Sequence, residues 1–220
     1  MKRLARKLVR SLGFEIVPYP RSKGDVRFRD LSSEARHVVV AECGVWRGGS
    51  MMAMVLNLVA RGDFSREIWL HDTFDGMSEP IPYDTRFDGQ TAQWELEQTP
   101  RSTGAWCQAP FEEVERNIFS TSYPSEKIHF IKGKVDKTIP DSMPSRLSLL
   151  RLDTDWYEST KYELIHLFPL LEQGGILILD DYGHWQGARK AVDELFQERG
   201  KKPYLHRVDY TCRILLKGQV

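Results

Sequence analysis

Residues 37–60 read HVVVAECGVWRGGSMMAMVLNLVA. The stretch 37–42 is a short apolar, β-branched run, as expected of a buried strand. After Gly48 and Gly49, the run SMMAMVLNLVA has the spacing and length of a helix. Strand, glycine turn and helix in that order open an α/β domain, in which ligands bind outside the carboxyl ends of the strands. Gly44 would let the backbone approach a ligand closely, and the free N–H groups at the start of the helix suit a carboxylate. The GxGxxG spacing of nicotinamide sites is absent, and a glycine turn that serves only strand-helix packing fits the same residues.

Working outward, further strands are expected at 67–72, 127–133, 147–153 and 174–181, the last introduced by a glycine pair. Helical patterns fall at 111–119, 159–173 and 188–200. This alternation implies a mostly parallel sheet covered on both faces. Two final strand candidates, 204–208 and 212–217, are too close for a crossover helix and should be antiparallel. Between the second strand and the 111–119 helix lies an insertion, about 76–108, rich in Pro, Gly, Asp, Thr and Trp. Pro80, Pro82 and Pro100 argue against much regular structure there. A loop of that length inside a compact domain is expected to act as a lid over a site.

The 220 residues suit one domain, here 37–220, with 41% apolar and 28% charged residues, which excludes disorder and a membrane-embedded chain. Lys plus Arg equals Asp plus Glu at 31 each, leaving no basic field for a nucleic-acid backbone. Cys43, Cys107 and Cys212 lie far apart without CxxC spacing, so a disulfide framework is not favoured and a reducing cytoplasm is expected. Residues 1–36 begin with a basic amphipathic helix pattern, MKRLARKLVRSLGF, expected to pack on the body or on a second subunit in a homodimer. No stretch approaches transmembrane length.

The acidic residues carry the chemistry. Asp153 and Asp155 end one apolar strand and Asp180 and Asp181 the next. Neighbouring parallel strands lie about 4.8 Å apart, so these carboxylates would crowd one small volume and repel. A hard divalent cation resolves that repulsion, and an all-oxygen donor set selects Mg²⁺. Helix capping accounts for one aspartate per helix but not readily for four. Asp72 ends the neighbouring strand, where a carboxylate can accept both hydroxyls of a ribose. His71, His129, His166 and His206 show no ligand spacing and read as structural, while His184 is near the site by sequence and reads as a surface-loop residue.

The segments GVWRGGS, DTFDGM, LRLDTDWYEST, LLEQGGILILDDYG, ARKAVDE and HRVDYTCRI resemble the macrocin O-methyltransferase family, metal-dependent sugar O-methyltransferases of antibiotic biosynthesis, from about residue 38 onward. The resemblance implies a Rossmann-like class I methyltransferase fold with a seven-stranded, mostly parallel sheet, an antiparallel C-terminal strand and helices on both faces. It implies S-adenosylmethionine on Glu42, Gly44, Trp46, Ser50, Asp72, Thr73, Phe74, Gly133 and Asp136, with Ser50 near the methionine carboxylate. It further implies Mg²⁺ on Asp153, Asp180 and Asp181, with Asp155 as general base toward a hydroxylated small molecule such as a glycoside. Catechol-type enzymes share this layout but place a lysine just after the first metal ligand, where this chain has Thr154-Asp155-Trp156-Tyr157. A catechol or phenol acceptor and a non-catalytic nucleotide-binding scaffold are the alternative readings.

Overall fold

The computed structural model describes residues 39–100, 106–139, 141–201 and 203–218. The expected basic helix and dimer contact within 1–36 lie outside the described residues. Strands β1 (Val39–Cys43), β2 (Ile68–Asp72), β3 (Ile128–Lys132), β4 (Leu147–Leu152), β5 (Leu171–Leu179), β6 (His206–Arg207) and β7 (Arg213–Leu216) form one sheet in the order β3-β2-β1-β4-β5-β7-β6. The first five are parallel, while β7 runs antiparallel to both β5 and β6. The expected seven-stranded sheet with an antiparallel end is thus formed. From β1 the chain steps outward to β2 and β3, then returns to place β4 on the other side of β1. That reversal opens a crevice above the carboxyl ends of β1 and β4.

Period-two side-chain alternation divides the core between the two faces of the sheet. Val40, Ile68 and Leu70 pack with Met51, Met52 and Val55 of α1 (Gly49–Arg61) and with Val114 and Ile118 of α3 (Phe111–Phe119). Ala41, Cys43, Leu150, Leu152, Leu177 and Leu179 face α4 (Val135–Thr138), α5 (Tyr157–His166) and α6 (Gln186–Glu198), where Leu164, Val192 and Phe196 close the layer. Truncating a fully buried side chain such as Leu150 to Ala would cost about 2–5 kcal/mol. Among the described residues, no helix is long and apolar enough to cross a membrane.

Three expectations need correction. The helix expected over 159–173 begins at Tyr157 and stops at His166, because Pro169 cannot continue it; a single 3₁₀ turn, Phe168–Leu170, follows. The Lys217 ammonium takes up the carbonyls there, at 3.0 Å from Phe168 and 3.1 Å from Pro169. The strand expected from 174 starts at Leu171, and the glycine pair lies inside it as an irregularity. Leu147 pairs with Leu171 but Leu149 with Ile176, so extra β5 residues bulge out, with Gly174 at φ +77°. Finally, the 76–108 insertion contains helix α2 (Ala92–Gln98), which the prolines had argued against. Thr91 caps it by accepting the Trp94 N–H, and Ala92 and Leu96, one turn apart, are buried beneath it.

Candidate active site

The four aspartates predicted from sequence meet above β4 and β5. Carboxylate oxygens of Asp153, Asp180 and Asp181 all lie within 4.8 Å of one another. Asp155 joins them through its backbone N–H, which donates to Asp181 Oδ2 at 3.1 Å. Its φ of +63°, with the Trp156 N–H reaching back to the Thr154 carbonyl at 2.6 Å, makes a tight three-residue turn. A non-glycine residue held left-handed is uncommon and concentrates at functional sites. Here the turn aims the Asp155 side chain at Trp185, whose indole N–H donates to Oδ1 at 2.8 Å. Loss of water around Asp155 and Asp181 pushes both carboxyl pKa values up, and the neighbouring aspartates push the same way.

Arg151 counters this crowding. On β4, opposite Glu42 of β1, it places one guanidinium nitrogen 2.8 Å from Glu42 Oε1 and 2.7 Å from Asp153 Oδ2, and another 3.1 Å from Asp180 Oδ1. Glu42 is fully buried, and burial raises its pKa to about 7 despite the arginine. One cation therefore joins the strand that opens the glycine turn to two of the three clustered aspartates.

Beside this cluster is a cavity of about 1150 Å³. Gly44, Trp46, Asp72, Thr73, Gly133 and Asp136 line it together with Asp153, Asp155, Asp180 and Asp181. Asp72 braces the glycine turn, since Oδ2 accepts the N–H groups of Val45 (2.6 Å) and Trp46 (3.0 Å) while Oδ1 accepts that of Phe74 (2.7 Å). The Thr73 hydroxyl also stands 3.4 Å from Oδ1, so at most one of the carboxylate's roughly four lone-pair sites is left for a ligand. Gly44 has φ +81°, and a Cβ there would sit 1.9 Å from the Asp153 carbonyl oxygen. The glycine thus allows close packing of the β1 turn on the β4 turn.

Three residues expected at the cofactor are not in this wall. Ser50 is exposed on the first turn of α1, and Glu42 lies beneath the cavity, paired with Arg151. Phe74 is buried in an aromatic group, edge-on to Phe111 at 5.3 Å. Conversely, His71 lines the cavity, although its sequence position reads as structural. Fully buried, with neither ring nitrogen finding a hydrogen-bond partner among the described residues, it is held neutral because burial lowers its pKa to about 4. Trp185 and Arg151 also escaped the sequence reading. Arg151 alone left a signal: a charge inside an apolar strand, which calls for a buried partner.

The insertion is packed against this site. Trp156 and Trp185 meet at 4.9 Å in a T-shaped pair beneath α2. The Trp156 indole donates to the Ser78 carbonyl at 2.9 Å. Asp84, 1% exposed, accepts the N–H groups of Ile81 and Tyr157, each at 2.8 Å, so the insertion supplies the acceptor that α5 needs at its first turn.

A sheet that reverses direction between β1 and β4 and ends antiparallel, with an acid closing β2 and acids after β4 and β5, defines a Rossmann-like methyltransferase fold. Residues 27–217 match the family described as Macrocin-O-methyltransferase (TylF), and the chain belongs to that family. It is 33% identical over 172 residues to the 8-demethyl-8-(2,3-dimethoxy-alpha-L-rhamnosyl)-tetracenomycin-C 4'-O-methyltransferase of Streptomyces olivaceus, covering 78% of this chain and 63% of that protein. It is 30% identical over 170 residues to the mycinamicin III 3''-O-methyltransferase of Micromonospora griseorubida, covering 77% and 65%. Among solved structures, the O-methyltransferase NovP superposes with a TM-score of 0.69 at 29% identity, over 81% of this chain and 71% of that one. The chain spans 56% to 65% of the length of the curated relatives it matches.

Proposed function

We propose that this chain is an S-adenosylmethionine-dependent, Mg²⁺-assisted O-methyltransferase acting on a hydroxyl of a small natural product, with a sugar hydroxyl as the favoured acceptor. The observation that carries the reading is the convergence of Asp153, Asp180 and Asp181 within 4.8 Å beside a cavity whose lining includes Asp72. Three carboxylates form a hard oxygen donor set that suits Mg²⁺. The cavity is ample for a nucleoside-sized cofactor beside an acceptor. The sugar acceptor is favoured by the relative named as a 4'-O-methyltransferase of a rhamnosyl-tetracenomycin, beside the one named as a mycinamicin III 3''-O-methyltransferase.

Asp72, Gly44 and Gly133 would hold the cofactor, with Asp72 on its ribose. Asp153, Asp180 and Asp181 would hold the cation. Bound there, the cation supplies Lewis acidity that lowers the pKa of the acceptor hydroxyl and fixes its orientation. Asp155 takes the hydroxyl proton, a task suited to a carboxylate whose pKa is pushed upward. Arg151 holds Asp153 and Asp180 in register with Glu42 throughout.

The test compares two variants against a panel of glycosides and catechols. Asp180→Asn is expected to lose cation affinity and activity together, with partial rescue by excess Mg²⁺. Asp155→Asn is expected to retain cation and cofactor binding yet lose about 10²- to 10⁴-fold in turnover, without rescue. Full activity after exhaustive chelation would remove the cation from the reaction.

A further inference from the structure

We propose that Trp185 is a positioning residue for the methyl transfer: its indole N–H holds Oδ1 of Asp155 and leaves Oδ2 as the oxygen that receives the acceptor's proton. The inference rests on the reading of Asp155 as the general base.

The geometry is specific. The terminal torsion of an aspartate is broad and roughly two-fold, so a lone carboxylate swings between orientations of similar energy. The 2.8 Å bond from Trp185 Nε1 to Oδ1 removes that freedom. The indole is itself fixed: 7% exposed, it meets Trp156 at 4.9 Å and the His184 ring at 4.7 Å, each nearly edge-on. Its backbone N–H bonds to the Asp181 carbonyl at 3.0 Å, and the next residue, Gln186, donates to the Thr85 carbonyl of the insertion at 2.8 Å. Trp185 thus takes its position from the Asp181 loop and from the insertion, and passes it to the base.

The chemistry of the donor assigns the two oxygens. An indole nitrogen donates and never accepts, so it bonds best to an unprotonated oxygen and favours the proton on the other one. As the acceptor O–H bond breaks, the proton goes to Oδ2. The electron pair remains on the acceptor oxygen and forms the new O–C bond, and the C–S bond breaks with its pair left on sulfur. A neutral donor such as Trp185 also steadies the charged carboxylate without adding a competing proton, as a lysine or histidine would.

The experiment is a double-mutant cycle with Trp185→Phe, which keeps most of the ring and loses the N–H, in the wild-type and Asp155→Asn backgrounds. In the wild-type background kcat is expected to fall about 10- to 100-fold, the range of a lost hydrogen bond to a charged group, with KM for S-adenosylmethionine and the Mg²⁺ affinity unchanged. In the Asp155→Asn background the same change is expected to alter kcat less than about threefold, since coupled residues act as a unit. Equal losses in both backgrounds would make Trp185 merely structural and overturn the proposal. A readout independent of the folding of Trp185→Phe is the indole ¹⁵N–¹H resonance of Trp185, expected to move upfield in Asp155→Asn as its acceptor loses charge. An unmoved resonance also overturns the proposal. If Asp155→Asn is fully active, the base reading falls and this inference with it; if Asp155→Asn is inactive but Trp185→Phe is neutral, only this inference falls.

Discussion

The His71 side chain should contribute a loss of stability in mild acid that can be separated from the opposing contribution of the buried carboxyls. It is fully buried, burial alone depresses its pKa from 6.5 to about 4, and among the described residues neither nitrogen has a partner that would stabilise a charged ring. Below pH 6.5 the unfolded chain binds a proton that the folded chain refuses, so stability falls as pH drops from 6.5 toward 4 and is complete above 6.5. At 1.36 kcal/mol per pH unit, the interval from 6.5 down to 5 amounts to about 2 kcal/mol from this one residue. For a domain of this length, that is a drop in Tm of roughly 4–8 °C. The raised pKa values of Asp155 and Asp181 act with the opposite sign, so the informative quantity is a difference. Urea unfolding of the wild type and of His71→Leu, each at pH 7 and pH 5 in EDTA, isolates it. The variant should gain about 2 kcal/mol on the wild type between the two pH values. A stability difference that stays constant with pH would refute the reasoning.

Asp84→Ala leaves two part-buried backbone N–H groups, those of Ile81 and Tyr157, without their acceptor and strips the first turn of α5. A loss of about 1–3 kcal/mol is expected by denaturant titration, and an unchanged midpoint would mean that the insertion does not anchor α5. The 76–108 insertion is proposed to close over the acceptor, so limited proteolysis should cut there first and slow markedly when S-adenosylhomocysteine, Mg²⁺ and acceptor are added together. Equal cutting with and without them would remove the lid role.

The strands could be read in the sequence because β1 to β5 are short apolar runs, and each ends near the residue where its pattern breaks. The boundary between α5 and β5 could not. Leu167 to Leu171 continues an apolar helical pattern, and a glycine pair looks like the start of a strand until its partner's register shows a bulge. The four aspartates were legible because adjacent strand ends must converge, whatever the details of packing. Arg151 and Trp185 were not, because a side chain's partners across the sheet or across a loop depend on which rotamer the packing selects. The place of His71 beside the cavity was not legible either: strand alternation says which face a residue takes, but not whether that face meets core or cavity at its upper end. Phe74 follows Thr73 of the cavity wall along the chain, yet its side chain is buried elsewhere, and Ser50 stands exposed on the first turn of α1.

Gly44 limits how this site can be re-engineered. Altering the turn after the first strand is the natural way to change which cofactor such a fold accepts. Here a single methyl group at Gly44 would meet the Asp153 carbonyl oxygen at 1.9 Å, and that carbonyl would have to retreat by at least about 1 Å to reach even a tight 3.0 Å contact. The displaced segment carries both Asp153 and the strained turn at Asp155. Selection for a new cofactor at position 44 would therefore be answered first by damage to the acidic cluster.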